Sequence, residues 1–400
     1  MNKPTILHIT SGHVAFDDRI FFKEAISLSK KYNVIILSPG INNHNLDLSG
    51  KEKKEGIYEG ILCLTYDVFP RKNLVIRILK FFLRIIGIYK IIVNKMILKK
   101  ITEKKIHSSI IHIHEPDLFF IATKLKRKFK SKLIFDAHEM FVVYPLDRYK
   151  FPISHFLTYF KLLKYKKYFK EFDATIAVNI LIKTFNVVFN PYIKNEIIYN
   201  ASLFKVEPCK NEESLNNKKI VLVHEGSLKF NRGFEFMCDL FKDKWTQKNV
   251  VLHIIGEITG KEKKYFEKRM KYEPWLKETI KPTGWKSYLD VPVYLKGDIG
   301  LILLTPLYNN LVATPNKFFN YINAELPIIS FDIPVITEFI NNYDVGVVSE
   351  RNVGSLKEKI KYLYKNLAKY KQNVKKVKGK LSWDSEEKKL LALYEKVLNE

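Results

Sequence analysis

Short β-branched runs recur down this chain, each followed by a polar loop and a helical pattern. That alternation limits the possible folds more than any other feature. A first series comprises Thr5–Thr10, Asn33–Ser38, Ser109–His114, Lys132–Asp136 and Ala174–Asn179, with a short hairpin or strand over Gly56–Tyr66. Ile197–Asn200 and a polar run through Asn217 then read as a hinge. A second series follows at Ile220–His224, Val250–Gly256, Ile299–Leu304, Ile328–Phe331 and Gly346–Val348. Strands that alternate with helices build βαβ units, and these make parallel sheets with ligands beyond the carboxyl ends of the strands. The expected fold is therefore α/β, with two Rossmann-like doubly wound parallel-sheet domains over residues 1–196 and 197–376. A helical, basic tail follows, its last helix starting at Trp383 within residues 377–400.

Length and composition agree. At 400 residues the chain is long for one core, and 46% hydrophobic with 14% aromatic residues argues for packed domains rather than disorder. Cys63, Cys209 and Cys238 are far apart and odd in number, so they offer neither a disulfide framework nor metal-ligand spacing, and a cytoplasmic setting is expected. MNKPTILHIT lacks a signal-peptide layout, and no apolar stretch reaches spanning length without charges. The net charge of +26 favours anionic partners. With no recognition module in the sequence, nucleic acid is not among the expected ones.

Two stretches interleave cations with apolar residues. Arg71–Ile106 carries Arg77, Lys80, Arg84, Lys90, Lys95, Lys99 and Lys100 at regular intervals, and Tyr144–Phe172 repeats the pattern. Each suits either a basic amphipathic helix at a membrane interface or a core helix with a solvated basic face. The recurrence within one domain favours the interface, and with it an anionic inner-membrane surface as partner.

Certain loops carry candidate chemistry. The loop SGHVAFDDR after the first strand has a single glycine, Gly12, so it is no dinucleotide fingerprint. His114-Glu115 and His138-Glu139 both fall just past strand ends. They do not form a helical HExxH, and their spacing gives no clear metal site. Ala313–Ser330 reads as a polar loop, a helix of about three turns, a turn and a buried strand, with Thr314 as N-cap and Pro315 in the first turn. Lys317 in that first turn opposes the helix dipole unless an anion arrives, which marks a candidate anion site.

Taken in order, DDRIFFKEAISL (Asp18, Arg19), HIHEPD, FDAHE, IIYN, EGSLKFNRG, GW at Gly284-Trp285, DIG at Asp298–Gly300, PNKFFNYINAELPII and SW at Trp383 resemble the GT-B glycosyltransferases. More narrowly, they resemble the family-4 retaining enzymes that use nucleotide-sugar donors. The resemblance spans essentially the whole chain. It implies two Rossmann-like domains facing a central cleft, with the last helix crossing back to the first domain. It also implies a glycosyltransferase that carries a sugar from a UDP- or GDP-sugar to a lipid-linked or growing glycan in bacterial surface-polysaccharide assembly. No cofactor and no metal are expected, since no DxD motif is present. By the resemblance His114, Arg232 and Lys317 are catalytic, with His114 contacting the transferring sugar and the two cations neutralising the leaving diphosphate. Gly12, Gly226, Ser227, Gly284, Trp285, Thr314, Pro315, Asn316 and Asn320 bind donor. Asp18, Arg19, His138 and Glu139 lie on the acceptor side. The sequence departs from the family pattern at Ser227, where Arg is usual, at Val312 and Asn320, where acids are usual, and at Glu325, where Gly is usual. A nucleotide-sugar epimerase on the same scaffold, or a degenerate non-catalytic partner subunit, are the alternatives these residues leave open.

Overall fold

The computed structural model describes residues 3–40, 44–46, 51–67, 88–203, 219–287 and 290–399. The chain forms two compact units, residues 1–198 with 387–400, and residues 199–386. Among the described residues the first unit holds ten strands: β1 (Thr5–Ile9), β2 (Asn33–Gly40), β3 (His44–Leu46), β4 (Glu52–Lys54), β5 (Gly56–Tyr58), β6 (Ile61–Asp67), β7 (Ile110–Ile113), β8 (Lys132–Ala137), β9 (Ala174–Ala177) and β10 (Lys194–Ile197). Eight of them form one sheet in the order β10-β9-β8-β7-β1-β2-β6-β5, and β3 pairs separately with β4. All pairs in the large sheet are parallel except the β5–β6 hairpin. β1, β7 and β9 are buried almost throughout, as central parallel strands must be. Strand β10 reads KNEI, with no apolar run or clean alternation to betray it, and only its parallel register with β9 defines it.

The helix after β1 differs from an ordinary amphipathic helix. Asp18–Ala25 is a wide, π-type helix in which the Phe22 N–H reaches the Asp17 carbonyl five residues back. Asp17 caps it by accepting from the Arg19 and Ile20 N–H groups. Such widened turns occur mostly at functional sites. Of the two basic-aromatic stretches, residues 68–87 lie outside the described residues. The rest forms helices Ile88–Glu103, Tyr144–Arg148 and Ile153–Tyr168.

The second unit holds β11 (Ile220–Glu225), β12 (Val250–Ile255), β13 (Ile280–Pro282), β14 (Ile299–Ile302), β15 (Ile328–Phe331) and β16 (Gly346–Ser349). Their order, β13-β12-β11-β14-β15-β16, is all parallel and doubly wound, the arrangement that places ligands at the carboxyl end of the first strand. β13 is absent from the strands expected in the second series; it is short and exposed over most of its length. The helix expected after Ala313 is shorter than read. It runs Asn316–Asn323, with Pro315 rather than Thr314 at the N-cap position and no side-chain cap. Proline's fixed φ and missing donor fit a position whose N–H has no helical partner. The helix ends as Glu325 turns left-handed at φ 57°, while the Leu326 N–H reaches back to the Tyr321 carbonyl. A non-glycine residue there is strained, and the Lys378 ammonium 3.3 Å from its carboxylate holds it.

Helices Val353–Lys365, Leu367–Lys378 and Trp383–Leu398 complete the chain, which returns to the first unit from Glu387. There the Tyr394 hydroxyl meets Nδ1 of His112.

Candidate active site

In the second unit the site is built at the end of β11. Gly226 follows it at φ 94°, a conformation that favours glycine, and its bare Cα faces two cations. A Cβ there would lie 3.2 Å from Arg232 Nη1 and 4.0 Å from Lys317 Nζ. Arg232 donates to the Ser227 carbonyl at 3.3 Å, so the loop folds under its guanidinium. Lys317 comes from the first turn of the Asn316–Asn323 helix, and its side chain is buried. Burial, and then the Arg232 charge, push its ammonium down to about 7. Burial also lowers Arg232. His224 lies beneath with neither ring nitrogen hydrogen-bonded, and burial, Lys317 and Arg232 keep it neutral. Two cations side by side on a glycine loop, at a helix N-terminus, form an anion site.

The helix is held in register from below. The Tyr321 hydroxyl accepts from the Glu225 N–H at 2.9 Å and lies 3.2 and 3.3 Å from the Val223 and Leu301 carbonyls. Gly300 makes room for the ring, because a Cβ there would sit 2.5 Å from it. Directly before Tyr321, Asn320 donates to a Glu225 carboxylate oxygen at 2.8 Å. Glu225 is a site residue that the sequence reading passed over. It ends a strand just before the glycine loop, and that position was the available signal. Thr314 is buried, Asn316 is exposed and accepts from the Asn200 amide, and Gly284 at φ 76° precedes Trp285, which is 50% exposed.

In the first unit the corresponding loops enclose a network of imidazoles and carboxylates. His8 and His112, on adjacent strands, and His114 just past β7 lie in contact, with ring centroids 4.4 to 5.3 Å apart. His114 Nε2 is 3.1 Å from His8 Nδ1, and its Nδ1 is 3.0 Å from His138 Nε2. His138 Nε2 is also 2.7 Å from Asp136. Arg19 grips Asp136 bidentately at 2.8 and 3.0 Å, and lies 3.0 Å from Glu24. Burial works against Asp136, yet Arg19 and His138 hold its carboxyl well below the usual range. Burial, and then Asp136, push Glu24 well above it. Burial lowers His8, His112 and His114, so these rings stay neutral.

The loop after β1 closes over this network. Glu115 accepts from the Thr10 hydroxyl at 2.7 Å and from the Ser11 and Gly12 N–H groups at 2.8 and 3.0 Å. A Cβ at Gly12 would lie 2.9 Å from that carboxylate, so Gly12 packs against Glu115. His13, unremarked in the sequence, is 2.9 Å from Asp17. Burial opposes its charge, but the Asp17 hydrogen bond and charge outweigh it and raise the ring to about 9.

This geometry corrects two expectations. Arg19 does not stand open to an acceptor: it is fully enclosed by Asp136, Glu24 and the Ile198 carbonyl, as a buried guanidinium requires. His114, expected to contact the transferring sugar, is completely buried and lies against the half-buried His138. Asp18 pairs with the buried Lys23 at 3.1 Å, and Glu139 is exposed. The sequence showed no metal-ligand spacing, but the fold assembles two groups that could hold an ion. These are His8, Glu24, His112 and His114, and His114, Asp136 and His138.

Comparison with known proteins agrees with this architecture. Residues 206–379 match the family described as Glycosyl transferases group 1. Chitobiosyldiphosphodolichol beta-mannosyltransferase of Candida albicans is 25% identical over 248 residues, 57% of this chain and 53% of that protein. The chain thus spans about half the length of the curated relative it matches. Sucrose-phosphate synthase from Thermosynechococcus elongatus superposes with a TM-score of 0.73 at 12% identity, over 99% of this chain and 100% of that one. Anabaena HepE in complex with UDP gives 0.67 at 10% identity, over 98% and 100%. The fold is that of GT-B glycosyltransferase structures, and the match to the group 1 family lies over residues 206–379.

Proposed function

We propose that the chain is a glycosyltransferase that moves a hexose from a UDP- or GDP-sugar to a lipid-linked or growing glycan acceptor, with retention of anomeric configuration, in bacterial surface-polysaccharide assembly. The observation that carries this reading is the cation pair Arg232 and Lys317 over Gly226, inside the group 1 domain. The donor diphosphate sits between the two cations and the helix N-terminus. As the C1–O bond to the diphosphate breaks, the acceptor hydroxyl oxygen bonds C1 on the same face and its proton passes to the departing phosphate. Arg232 and Lys317 stabilise the charge that develops, a term worth about 10²–10³ in rate for one well-placed donor. The Asn320–Glu225 pair restores a carboxylate beside the position where the family pattern has one, and receives the donor ribose hydroxyls. Trp285 stacks near the base.

The lipid-linked acceptor draws support from the name of the Candida relative, a dolichyl-diphosphate-linked substrate. A peripheral place on the inner membrane face draws it from the helix Ile153–Tyr168, where Ile153, Phe156 and Phe160 are 58%, 61% and 51% exposed along one stripe. Among the described residues no helix is long and apolar enough to cross a membrane.

The test is a thermal-shift screen of the full chain against UDP, GDP, ADP and CMP. Stabilisation follows ligand concentration over its dissociation constant, so one nucleoside diphosphate should raise Tm by several degrees. A flat response to all four overturns the donor assignment.

A further inference from the structure

The first unit contains a cavity of about 700 Å³ that the donor reading does not use. Its size suits a small-molecule ligand. It opens beside Ser11, Gly12 and Glu115 and is walled by the helices Ile153–Tyr168 and Tyr144–Arg148. Four cations line it, Lys90, Arg148, Lys161 and Lys164, against two carboxylates. One of those, Glu115, is engaged by the Thr10, Ser11 and Gly12 donors. The other, Asp117, is shared between Lys90 at 3.0 Å and Lys164 at 3.7 Å. Among the described residues Lys161 bonds a neutral carbonyl, that of Phe141 at 2.6 Å, and lies over the Tyr144 ring. Positive charge is thus in excess at a partly buried place, and it is felt: burial, and then the neighbouring cations, lower Lys161 and Lys164 to about 8 although Asp117 opposes this.

The apolar side of the cavity is continuous with the surface. Leu157 and Phe160 line it and are also 37% and 51% exposed, and the same stripe continues to Phe156 and Ile153. A purely hydrophilic ligand would leave that rim unused. A purely apolar one would leave the excess positive charge uncompensated.

We propose that this cavity binds the acceptor of the transfer by its phosphate, as an amphiphile whose diphosphate lies among Lys90, Arg148, Lys161 and Lys164 and whose hydrocarbon tail leaves over Leu157 and Phe160. The inference rests on the glycosyltransferase reading and specifies its acceptor. Nucleotide binding at Arg232 and Lys317 belongs to the other unit and fails or holds separately.

The experiment is calorimetric titration of the full chain with farnesyl diphosphate below its micelle concentration, inorganic pyrophosphate and farnesol, with UDP and GDP as a separate arm. Farnesyl diphosphate should bind at least tenfold tighter than either pyrophosphate or farnesol. The double variant Lys161→Ala, Lys164→Ala should lose at least tenfold of that affinity while its nucleotide response stays intact. Lys90→Glu, at an exposed position, should weaken it several-fold and serves if the double variant folds poorly. Pyrophosphate binding as tightly as farnesyl diphosphate, farnesyl diphosphate failing to bind, or affinity unchanged in the variants would each overturn the proposal, whether or not the nucleotide arm responds.

Discussion

The two units meet their buried charges in opposite ways. In the first, Arg19, Asp136, Glu24 and His138 close on one another, each within 3.0 Å of a partner. In the second, Lys317 and Arg232 converge on Gly226, and the Arg232 charge adds to the burial that depresses Lys317. A closed network positions other groups, whereas a charge held against its environment waits for a ligand. Buried cations are therefore enclosed by carboxylates in one unit, and in the other they stand where the proposed function places the donor diphosphate.

That contrast can be broken by mutation. Arg19→Ala strands the Asp136 carboxylate in the core and should cost about 3–5 kcal/mol of stability in denaturant unfolding. A loss below 1 kcal/mol would show that the network is not closed. Arg232→Ala or Lys317→Met should lower kcat by about 10²-fold or more. Lys317→Met should at the same time leave Tm unchanged or raised, because it removes a buried charge. A Lys317 variant that loses both stability and activity would erase the distinction.

Smaller effects sharpen the contrast. Burial lowers Lys317 to about 7, so it sheds its proton as pH rises, and a diphosphate bound as proposed would restore it. Nucleotide affinity should thus fall above pH 7, by up to tenfold per unit, with proton uptake on binding visible by calorimetry in buffers of different ionisation enthalpy. Affinity flat from pH 7 to 9 would remove Lys317 from the site. Asn320→Ala should raise the donor KM several-fold with little change in kcat, as loss of one hydrogen-bonding pair implies. The least effect belongs to the membrane: replacing Lys95 and Lys99 should cost about 1 kcal/mol each in binding anionic vesicles, fading at high salt.

The sequence disclosed the fold through its runs of Ile, Val and Leu, because a parallel strand buried on both faces must be apolar throughout. It missed β3, β4, β10 and β13; of these, the KNEI of β10 and the IKP of β13 hold their places by register with a neighbour and not by hydrophobicity. Among site residues, Lys317 was legible from a local conflict, a cation at a helix N-terminus, and the left-handed turn at Glu325 was legible from an expected glycine. Glu225 was not, because its meaning depends on Asn320, 95 positions away. Arg19 looked available for the opposite reason: a DDR cluster reads as surface until the strand carrying Asp136 closes over it. Long-range pairings between side chains leave no period in a sequence.

The most direct measurement is calorimetric binding of UDP and GDP to the wild-type chain and to Lys317→Met. One nucleotide should bind the wild type, with affinity reduced at least tenfold in the variant. Binding that is absent from both, or equal in both, would contradict a donor diphosphate held by Arg232 and Lys317.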